Sequence, residues 1–521
     1  MNMKRNHKLM VLTLTILALS LGVIAGTRQL RRRADDVWGP RYTAAARIPA
    51  QSGHFTLQEA EASATTGVRR WNEIAINASG LDHTPVAPGE NRVFGEQIGP
   101  CRAARAMAIV HIAIFEVVNA INGGYKSYVG LSPAASPTAQ NAAIAQAAHD
   151  TLIALFPSQK ASFDSQLAGD LSQISDGLAK SNGITLGRRA AKAILAARSA
   201  DGSQHPEPRV GVDFITSNDA GMWRQDPISL IPLALGAHWG DVKPFAIRSA
   251  SQYRVPHQPA MDSPEYAAAY DEVKRLGGDG ITTPTERTEE QTQIAIYWAY
   301  DGTPSLCAPP RLYNQITVQL AGQMGTNEVG LARLLALVNT AMADAALAVW
   351  ESKFFYQCWR PITAIREADA GTGPSGTGDG NPATVGDPTF SPLGAPASNL
   401  NGPNFTPPFP GYPSGHAGIG GALFQVLRRF YGTDNIPFTF VSDEFNGVTR
   451  DHGGNVRPLI PRSFTTLSQA EEENGQSRIY LGIHFSFDKT EGIAQGRRVG
   501  DYVFKTTFVP VSSSATPVKS K

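Results

Sequence analysis

The sequence predicts a mainly α-helical protein whose helices are joined by long irregular loops. Three features indicate this class: apolar and small residues recur at helical spacing over several long stretches, strand patterns are sparse, and glycine and proline concentrate between the periodic stretches. At 521 residues the chain is long enough for one large hydrophobic core or two fused ones. Its 42% hydrophobic and 17% charged residues are typical of a globular protein rather than a disordered or multi-span membrane protein.

The overall charge is balanced, with 46 Lys and Arg residues against 45 Asp and Glu residues and a formal net charge of +1. This balance gives no support for nucleic-acid binding, so any anion site in this chain must be a local feature. The three cysteines, Cys101, Cys307 and Cys358, are too few for a disulfide framework. None of them has the CxxC spacing of a zinc or dithiol site.

The N-terminus has the pattern of an export signal. A basic lead, MNMKRNHK, precedes an apolar run from Leu9 to Gly26, in which Val23 and Ala25 form a candidate cleavage site. We therefore expect a secreted or periplasmic protein. The alternative is an uncleaved anchor, because the run is long and an arginine triplet at 31–33 closely follows it.

Four regions are expected along the chain: a signal peptide or anchor at 1–26, a leader and irregular segment at 27–95, an N-terminal helical region at 96–285 and a catalytic helical region at 286–510. The helices predicted from periodicity and stop signals lie at Pro100–Ile121, Ala139–Leu155, Thr185–Arg198, Thr288–Tyr300, Tyr313–Gly322, Val329–Phe355, 414–431, 466–482 and from about His484 onward. Residues 200–285 are punctuated by proline and glycine and are expected to be irregular structure that carries short helices, and residues 370–411 are expected to form a long loop rich in glycine, proline and asparagine.

The first candidate site segment is Trp350-Glu-Ser-Lys353-Phe-Phe-Tyr-Gln-Cys-Trp-Arg360-Pro361. On a continuous helix, residues seven apart differ in direction by about 20°, so Lys353 and Arg360 would share one stripe and could close on one anion. Trp350 would lie on the same side, and Pro361 would end the helix at Arg360. The alternative is a solvated basic stripe.

The second segment is Pro413-Ser414-Gly415-His416. Ser414 is a favoured N-cap after Pro413, so a helix is expected to begin here with unpaired N–H groups that attract an anion. Gly415 would let the anion approach the backbone, and His416 could act as an acid or base at its rim. An ordinary capped helix with an incidental histidine is the alternative. Three glycines predict close packing of this helix against a neighbour: Gly418, Gly420 and Gly421.

The third segment is Ser477-Arg478-Ile-Tyr-Leu-Gly482-Ile-His484-Phe-Ser-Phe-Asp488. Arg478 and His484 would point apart on one continuous helix, so we expect a break at Gly482. His484 and Asp488 would then be neighbours on the next helix, where the carboxylate fixes the tautomer of the ring. A surface His–Asp pair is the alternative. One bound oxyanion would account for all three segments together.

The three segments resemble the signature of the vanadium haloperoxidases, K-x6-R-P, P-S-G-H and S-R-x5-H-x3-D, within the superfamily that includes the type 2 phosphatidic acid phosphatases. Similarity to the fungal chloroperoxidase branch extends through Trp298–Gly302, Pro309–Gln315 and Phe445–Asp451, and it covers about residues 290–490. The resemblance implies a helical-bundle core of the haloperoxidase and acid phosphatase type.

The resemblance also implies a role for each residue. His484 would bind vanadium with Asp488 behind it, His416 would be the acid–base group, and Lys353 would polarise the bound peroxide. The implied ligands of the vanadate oxygens are Lys353, Arg360, Ser414, Gly415 and Arg478. The implied halide pocket consists of Trp350, Phe409 and Asp301, although ordinary core packing is the alternative for the two aromatic residues.

The implied substrates are hydrogen peroxide and a halide, with an organic halogen acceptor as a candidate further partner. A vanadium-free acid phosphatase is the alternative, because phosphate is also a tetrahedral oxyanion and His484 could form a phosphohistidine. The apolar Trp350 and Phe409, and the lack of a multi-span membrane pattern, favour the peroxidase. A phosphate-binding protein ranks last because it leaves His416 and the His484–Asp488 pair without a role.

Overall fold

The structure, a computed structural model, describes residues 34–42 and 67–511 and is mainly helical, as predicted. The apolar N-terminal run lies outside the described residues. The helices of the first half are α1 (Ala34–Trp38), α2 (Gly67–Asp82), α3 (Pro100–Asn122), α4 (Gln140–Leu155), α5 (Lys160–Ser172), α6 (Leu178–Arg198) and α7 (Pro264–Leu276).

The second half contains the remaining helices and a small antiparallel sheet. Its elements are α8 (Glu289–Tyr297), α9 (Pro310–Gln323), α10 (Glu328–Tyr356), α11 (Pro361–Arg366), α12 (Gly415–Tyr431), β1 (Phe438–Asn446), β2 (Leu459–Phe464), α13 (Leu467–Tyr480) and α14 (Ser486–Thr506). The two strands pair with Phe438 opposite Phe464, and their register shifts between Val441 and Asn446.

Most predicted helices are present, with boundaries that differ by a few residues. Helix α2 is not among the predicted helices, and it lies within the segment 27–95 that was expected to be irregular. Its Val68, Trp71 and Ala75 are fully buried on one face, while the adjacent Arg69 and Arg70 interrupt the apolar pattern in the sequence. The expected irregular loop at 370–411 is observed without helix or strand.

Helices α12 and α14 pack backbone against backbone, as the glycines of α12 predicted. A Cβ atom on Gly496 would lie 2.0 Å from the carbonyl oxygen of Gly418, and one on Gly421 would lie 2.8 Å from that of Ile493. A Cβ atom on Gly418 would also lie 2.4 Å from the side chain of Val349 on α10. Only glycine permits these approaches, and they bring the ends of three helices to one place.

Two of the described helices, α3 and α10, are long and apolar enough to cross a membrane by length and composition alone. Both are largely buried inside the protein, as the core helices of many proteins are. Within the part of the chain that the structure describes there is no multi-span membrane domain.

Candidate active site

The three segments singled out in the sequence meet around one cavity. Backbone hydrogen bonds join them: the Ser414 amide donates to the Asp488 carbonyl (2.9 Å), and the Gly411 amide donates to the Cys358 carbonyl (2.8 Å). The candidate residues that line the cavity are Asp301, Trp350, Phe409, Gly415, His416, Arg478 and His484. The side chains of Lys353, Arg360 and Ser414 are buried beside them.

Lys353 and Arg360 converge, but not along one helix stripe as expected. Helix α10 ends at Tyr356 because Gln357 adopts a left-handed conformation with φ of 49°, and Arg360 is extended before Pro361. The two side chains meet instead at the loop before α12. Lys353 Nζ donates to the carbonyls of Pro410 and Gly411 (2.8 Å each). Arg360 Nε donates to the carbonyl of Phe409 (3.0 Å).

His484 and Asp488 form the expected pair, although His484 precedes α14 rather than opening it. Gly482, with φ of 73°, supplies the predicted break after α13. His484 Nδ1 lies 2.7 Å from Asp488 Oδ2, and Arg360 Nη1 lies 2.9 Å from His484 Nε2. A carboxylate accepts and a guanidinium donates, so the proton is on Nδ1 and the lone pair is on Nε2.

The protonation state of His484 follows from its surroundings. Burial lowers the pKa of this ring well below its usual value, and the nearby charges of Arg360, Lys353 and Arg478 lower it further. The ring is therefore neutral, which is the form that binds a Lewis acid. Asp488 also accepts from the Phe485 amide (3.1 Å), which fixes its position behind the ring.

The two arginines retain unused donors inside the protein. Arg478 Nη2 donates to Asp301 Oδ1 (2.6 Å), but its Nε and Nη1 atoms are buried without a hydrogen-bond partner. Arg360 Nη2 is also buried without a partner. Each buried donor that is left without a partner lowers the free energy of unfolding by roughly 1–3 kcal/mol, and by more when the group is charged. An oxyanion with several acceptor oxygens would satisfy them.

The same groups carry an excess of positive charge. Three cations, Lys353, Arg360 and Arg478, face two carboxylates, Asp301 and Asp488. The cations and Asp488 are at most 1% exposed, and the side chain of Asp301 is 4% exposed. Burial lowers the pKa of Lys353 well below its usual value, and Arg360 lowers it further. An anion among these side chains would offset the repulsion, so the residues present fit a tetrahedral oxyanion.

The beginning of α12 confirms the predicted cap. Ser414 Oγ accepts from the Ala417 amide (3.4 Å), and Gly415 and His416 contribute the first N–H groups of the helix. Gly415 is tightly enclosed, because a Cβ atom there would lie 3.2 Å from the ring of Trp350. The anion would thus face a helix N-terminus as well as the three cations.

His416 is anchored at one of its two ring nitrogens. Its Nε2 atom lies 2.6 Å from the carbonyl oxygen of Ala299 and 4.0 Å from Asp301 Oδ1. A carbonyl only accepts, so Nε2 donates and Nδ1 is the nitrogen left for proton transfer. Burial lowers the pKa of His416 well below its usual value, and Arg478 lowers it further.

Trp350 and Phe409 line the cavity and also pack against each other, with ring centroids 4.8 Å apart. Trp350 Nε1 donates to the Leu235 carbonyl (3.0 Å), which fixes its ring. Lys353 Nζ lies 5.2 Å from the Phe409 centroid, and the Arg360 guanidinium carbon lies 5.0 Å from it. The two rings therefore separate the cations from the apolar part of the cavity.

Several functional positions were not identified from the sequence. Ala299 acts through its carbonyl and so leaves no side-chain signal. Val37 and Trp38 line the cavity although they lie in a segment assigned to a leader. The one available signal was a tryptophan followed by Gly39 and Pro40 in an otherwise polar stretch.

Comparisons with known proteins agree with this geometry. Residues 333–512 match the family model of the VCPO second helical-bundle domain. The chain is 30% identical over 509 residues to the vanadium chloroperoxidase of Curvularia inaequalis, in an alignment that covers 83% of this chain and 80% of that protein.

Two solved structures share the fold. The first bacterial vanadium-dependent iodoperoxidase superposes with a TM-score of 0.66 at 23% identity, covering 85% of this chain and 98% of that one. The holo-type bacterial vanadium-dependent chloroperoxidase superposes with a TM-score of 0.60 at 18% identity, covering 82% of this chain and 94% of that one.

Replacing His484 tests the ligand assignment. We expect His484→Ala to lose retained vanadate, and Asp488→Asn to weaken binding by about 10- to 100-fold, because the carboxylate orients the ring. Retained vanadium is measured by elemental analysis after gel filtration. His238→Ala, at an exposed histidine outside the site, is the control. Full vanadium content in His484→Ala would refute the assignment.

Replacing His416 separates oxyanion binding from proton transfer. We expect His416→Ala to retain vanadate but to lose turnover by about 10²- to 10⁴-fold, because a positioned acid–base group contributes that much. Vanadate content and kcat are measured on the same preparation, and thermal unfolding checks the fold. An unchanged kcat would contradict the role of this ring.

Proposed function

The chain belongs to the vanadium-dependent haloperoxidases, peroxidases that use hydrogen peroxide to oxidise a halide to hypohalous acid, and we propose that the cavity described above holds its vanadate cofactor. The observation that carries this assignment is the set of buried unpaired nitrogens on Arg360 and Arg478, beside His484 Nε2, which accepts from Arg360 Nη1 in this structure. These groups offer donors for the oxygens and a ligand for the metal within one enclosure.

Each side chain of the enclosure has a definable task. Arg360, Lys353 and Arg478 would hold the oxyanion by charge, and the Gly415 amide and the Ser414 hydroxyl would add neutral donors. His484 would present Nε2 to the metal, with Asp488 holding the proton on Nδ1. When bound, vanadate supplies Lewis-acid activation of hydrogen peroxide without a change in its oxidation state.

Proton movement would pass through His416. Since its Nε2–H is committed to the Ala299 carbonyl, the ring would take up and return a proton at Nδ1. Its lowered pKa keeps Nδ1 unprotonated at neutral pH, so it would act first as a base toward incoming hydrogen peroxide. Lys353, held by two carbonyls, would direct its remaining N–H toward the oxyanion.

The halide would lie on the side of the cavity formed by Trp350 and Phe409. This side is apolar, but Lys353 and Arg360 lie behind the Phe409 ring and supply positive charge. We propose chloride as one of the halides that this chain accepts, as the name of its fungal relative indicates for that protein.

Vanadate dependence of halogenation tests the function. Purified protein stripped of vanadate should gain the ability to halogenate a phenolic dye, with hydrogen peroxide and bromide, in proportion to added vanadate. Inorganic phosphate should compete, because it fits the same oxyanion site. Repeating the assay with chloride and iodide tests the halide assignment. Halogenation that is indifferent to vanadate, together with hydrolysis of a phosphate ester, would contradict the proposal.

We propose further that the protein is exported and cleaved after Ala25, on the basis of the basic lead and the apolar run that follows it. The mature N-terminus of protein recovered from the medium or periplasm should then begin at Gly26, as determined by mass spectrometry. Full-length chain confined to the membrane fraction would indicate the uncleaved anchor instead.

A further inference from the structure

We infer that the segment Ala34–Tyr42 forms one wall of the active-site cavity and makes it a binding site for an uncharged, electron-rich aromatic molecule that is halogenated there. This inference rests on the proposed function, which supplies the hypohalous acid. It concerns a different part of the cavity from the oxyanion enclosure.

The cavity has two chemically distinct ends. One end contains the oxyanion residues and the Trp350–Phe409 pair. The wall beyond them is formed mainly by carbon, from the side chains of Val37, Trp38, Ile98, Leu235, Phe405 and Pro408. Among the described residues that line the cavity as a whole, the only carboxylate is that of Asp301 and the only guanidinium is that of Arg478. These two groups pair with each other. A charged acceptor would be less well solvated against this apolar wall than in water.

Hydrogen bonds and ring packing hold the segment Ala34–Tyr42 in place as part of this wall. Trp38 is 1% exposed, its Nε1 atom donates to the Gly302 carbonyl (3.2 Å), and its ring lies 5.2 Å from that of Phe94. Tyr42 donates its hydroxyl to the Pro403 carbonyl (2.6 Å). These bonds tie the segment at two points to parts of the chain more than 250 residues away in sequence.

The turn after Trp38 shows that the backbone fixes the position of this segment. Gly39 has φ of 93°, and a Cβ atom there would lie 2.0 Å from the carbonyl oxygen of Ser229. Only glycine fits, so the direction in which Val37 and Trp38 enter the cavity is set by the backbone. The segment is therefore part of the cavity wall rather than a loose leader.

This geometry favours halogenation before the oxidant escapes. In the reaction, the aromatic carbon attacks the halogen of hypohalous acid, the carbon–halogen bond forms and the halogen–oxygen bond breaks. The proton lost from the ring carbon and the released hydroxide make water. An acceptor held against Trp38 would meet hypohalous acid at a high effective concentration, because both share one cavity.

A competition between two acceptors tests the inference. β-Naphthol and a ring-sulfonated β-naphthol are mixed with wild-type holoenzyme, hydrogen peroxide and bromide, and the ratio of brominated products is measured. The same ratio is measured with reagent hypobromous acid. We expect the ratio of brominated β-naphthol to brominated sulfonate to be at least about tenfold higher with the enzyme than with the reagent, because the apolar wall rejects the sulfonate.

Variants of the wall connect the preference to the segment. Trp38→Ala should return the product ratio toward that of the reagent, and Val37→Lys should do the same by attracting the sulfonate. The ratio does not depend on how much hypobromous acid is made, so a change in overall turnover does not affect it. Arg41→Ala is the matched control, since Arg41 lies in the same segment but is exposed and does not line the cavity.

The outcomes separate this inference from the proposed function. A wild-type ratio equal to that of the reagent would overturn it, because the halogen would then be transferred in free solution. A shifted wild-type ratio that neither Trp38→Ala nor Val37→Lys changes would overturn the role of the segment. Oxidation of iodide to triiodide needs no organic acceptor. If wild-type holoenzyme failed to oxidise iodide, the proposed haloperoxidase function would be refuted instead.

Discussion

The guanidinium groups of Arg360 and Arg478 and the ammonium group of Lys353 are enclosed together, with two carboxylates to balance three positive charges. Burial of charged groups costs free energy unless their donors have partners. Lys353 and Arg360 donate to backbone carbonyls of the loop before α12, and Arg360 also donates to that of Ile483. The donors left unpaired face a space that an oxyanion would fill, so stability and cofactor binding depend on the same arrangement.

Close helix packing makes this enclosure possible. The glycines on α12 and α14 allow the two backbones to approach, and the Ser414 amide then bonds to the Asp488 carbonyl. That bond places the helix N-terminus carrying Gly415 beside the ring of His484. A methyl group at Gly418 or Gly496 would separate the helices, and it would therefore disturb the oxyanion site without touching any of its ligands.

The sequence allowed prediction of the residues around the oxyanion enclosure but not of all their geometry, nor of the positions Val37, Trp38 and Ala299. Spacing predicted the His484–Asp488 pair and the cap at Ser414, because these depend on neighbours a few residues away. The meeting of Lys353 and Arg360 depends on a left-handed Gln357 and on a distant loop, which helical periodicity does not describe. Likewise, the anchoring of His416 depends on the carbonyl of Ala299, and a carbonyl is common to all residues.

The short segment from Ala299 to Gly302 connects the parts of the site. Ala299 accepts from His416, Asp301 pairs with Arg478, and Gly302 accepts from Trp38. Tyr300 has φ of 41°, which is a strained conformation for a residue other than glycine. Two hydrogen bonds hold it: the Tyr300 amide donates to the Glu444 carboxylate (3.2 Å), and the Asp443 amide donates to the Tyr300 hydroxyl (2.7 Å). Because Ala299 can only accept, His416 keeps Nε2 protonated in both charge states, and its proton can be exchanged at Nδ1 without a turn of the ring. The segment therefore joins the ring of His416, the Asp301–Arg478 pair and the Trp38 side chain through four consecutive residues of backbone.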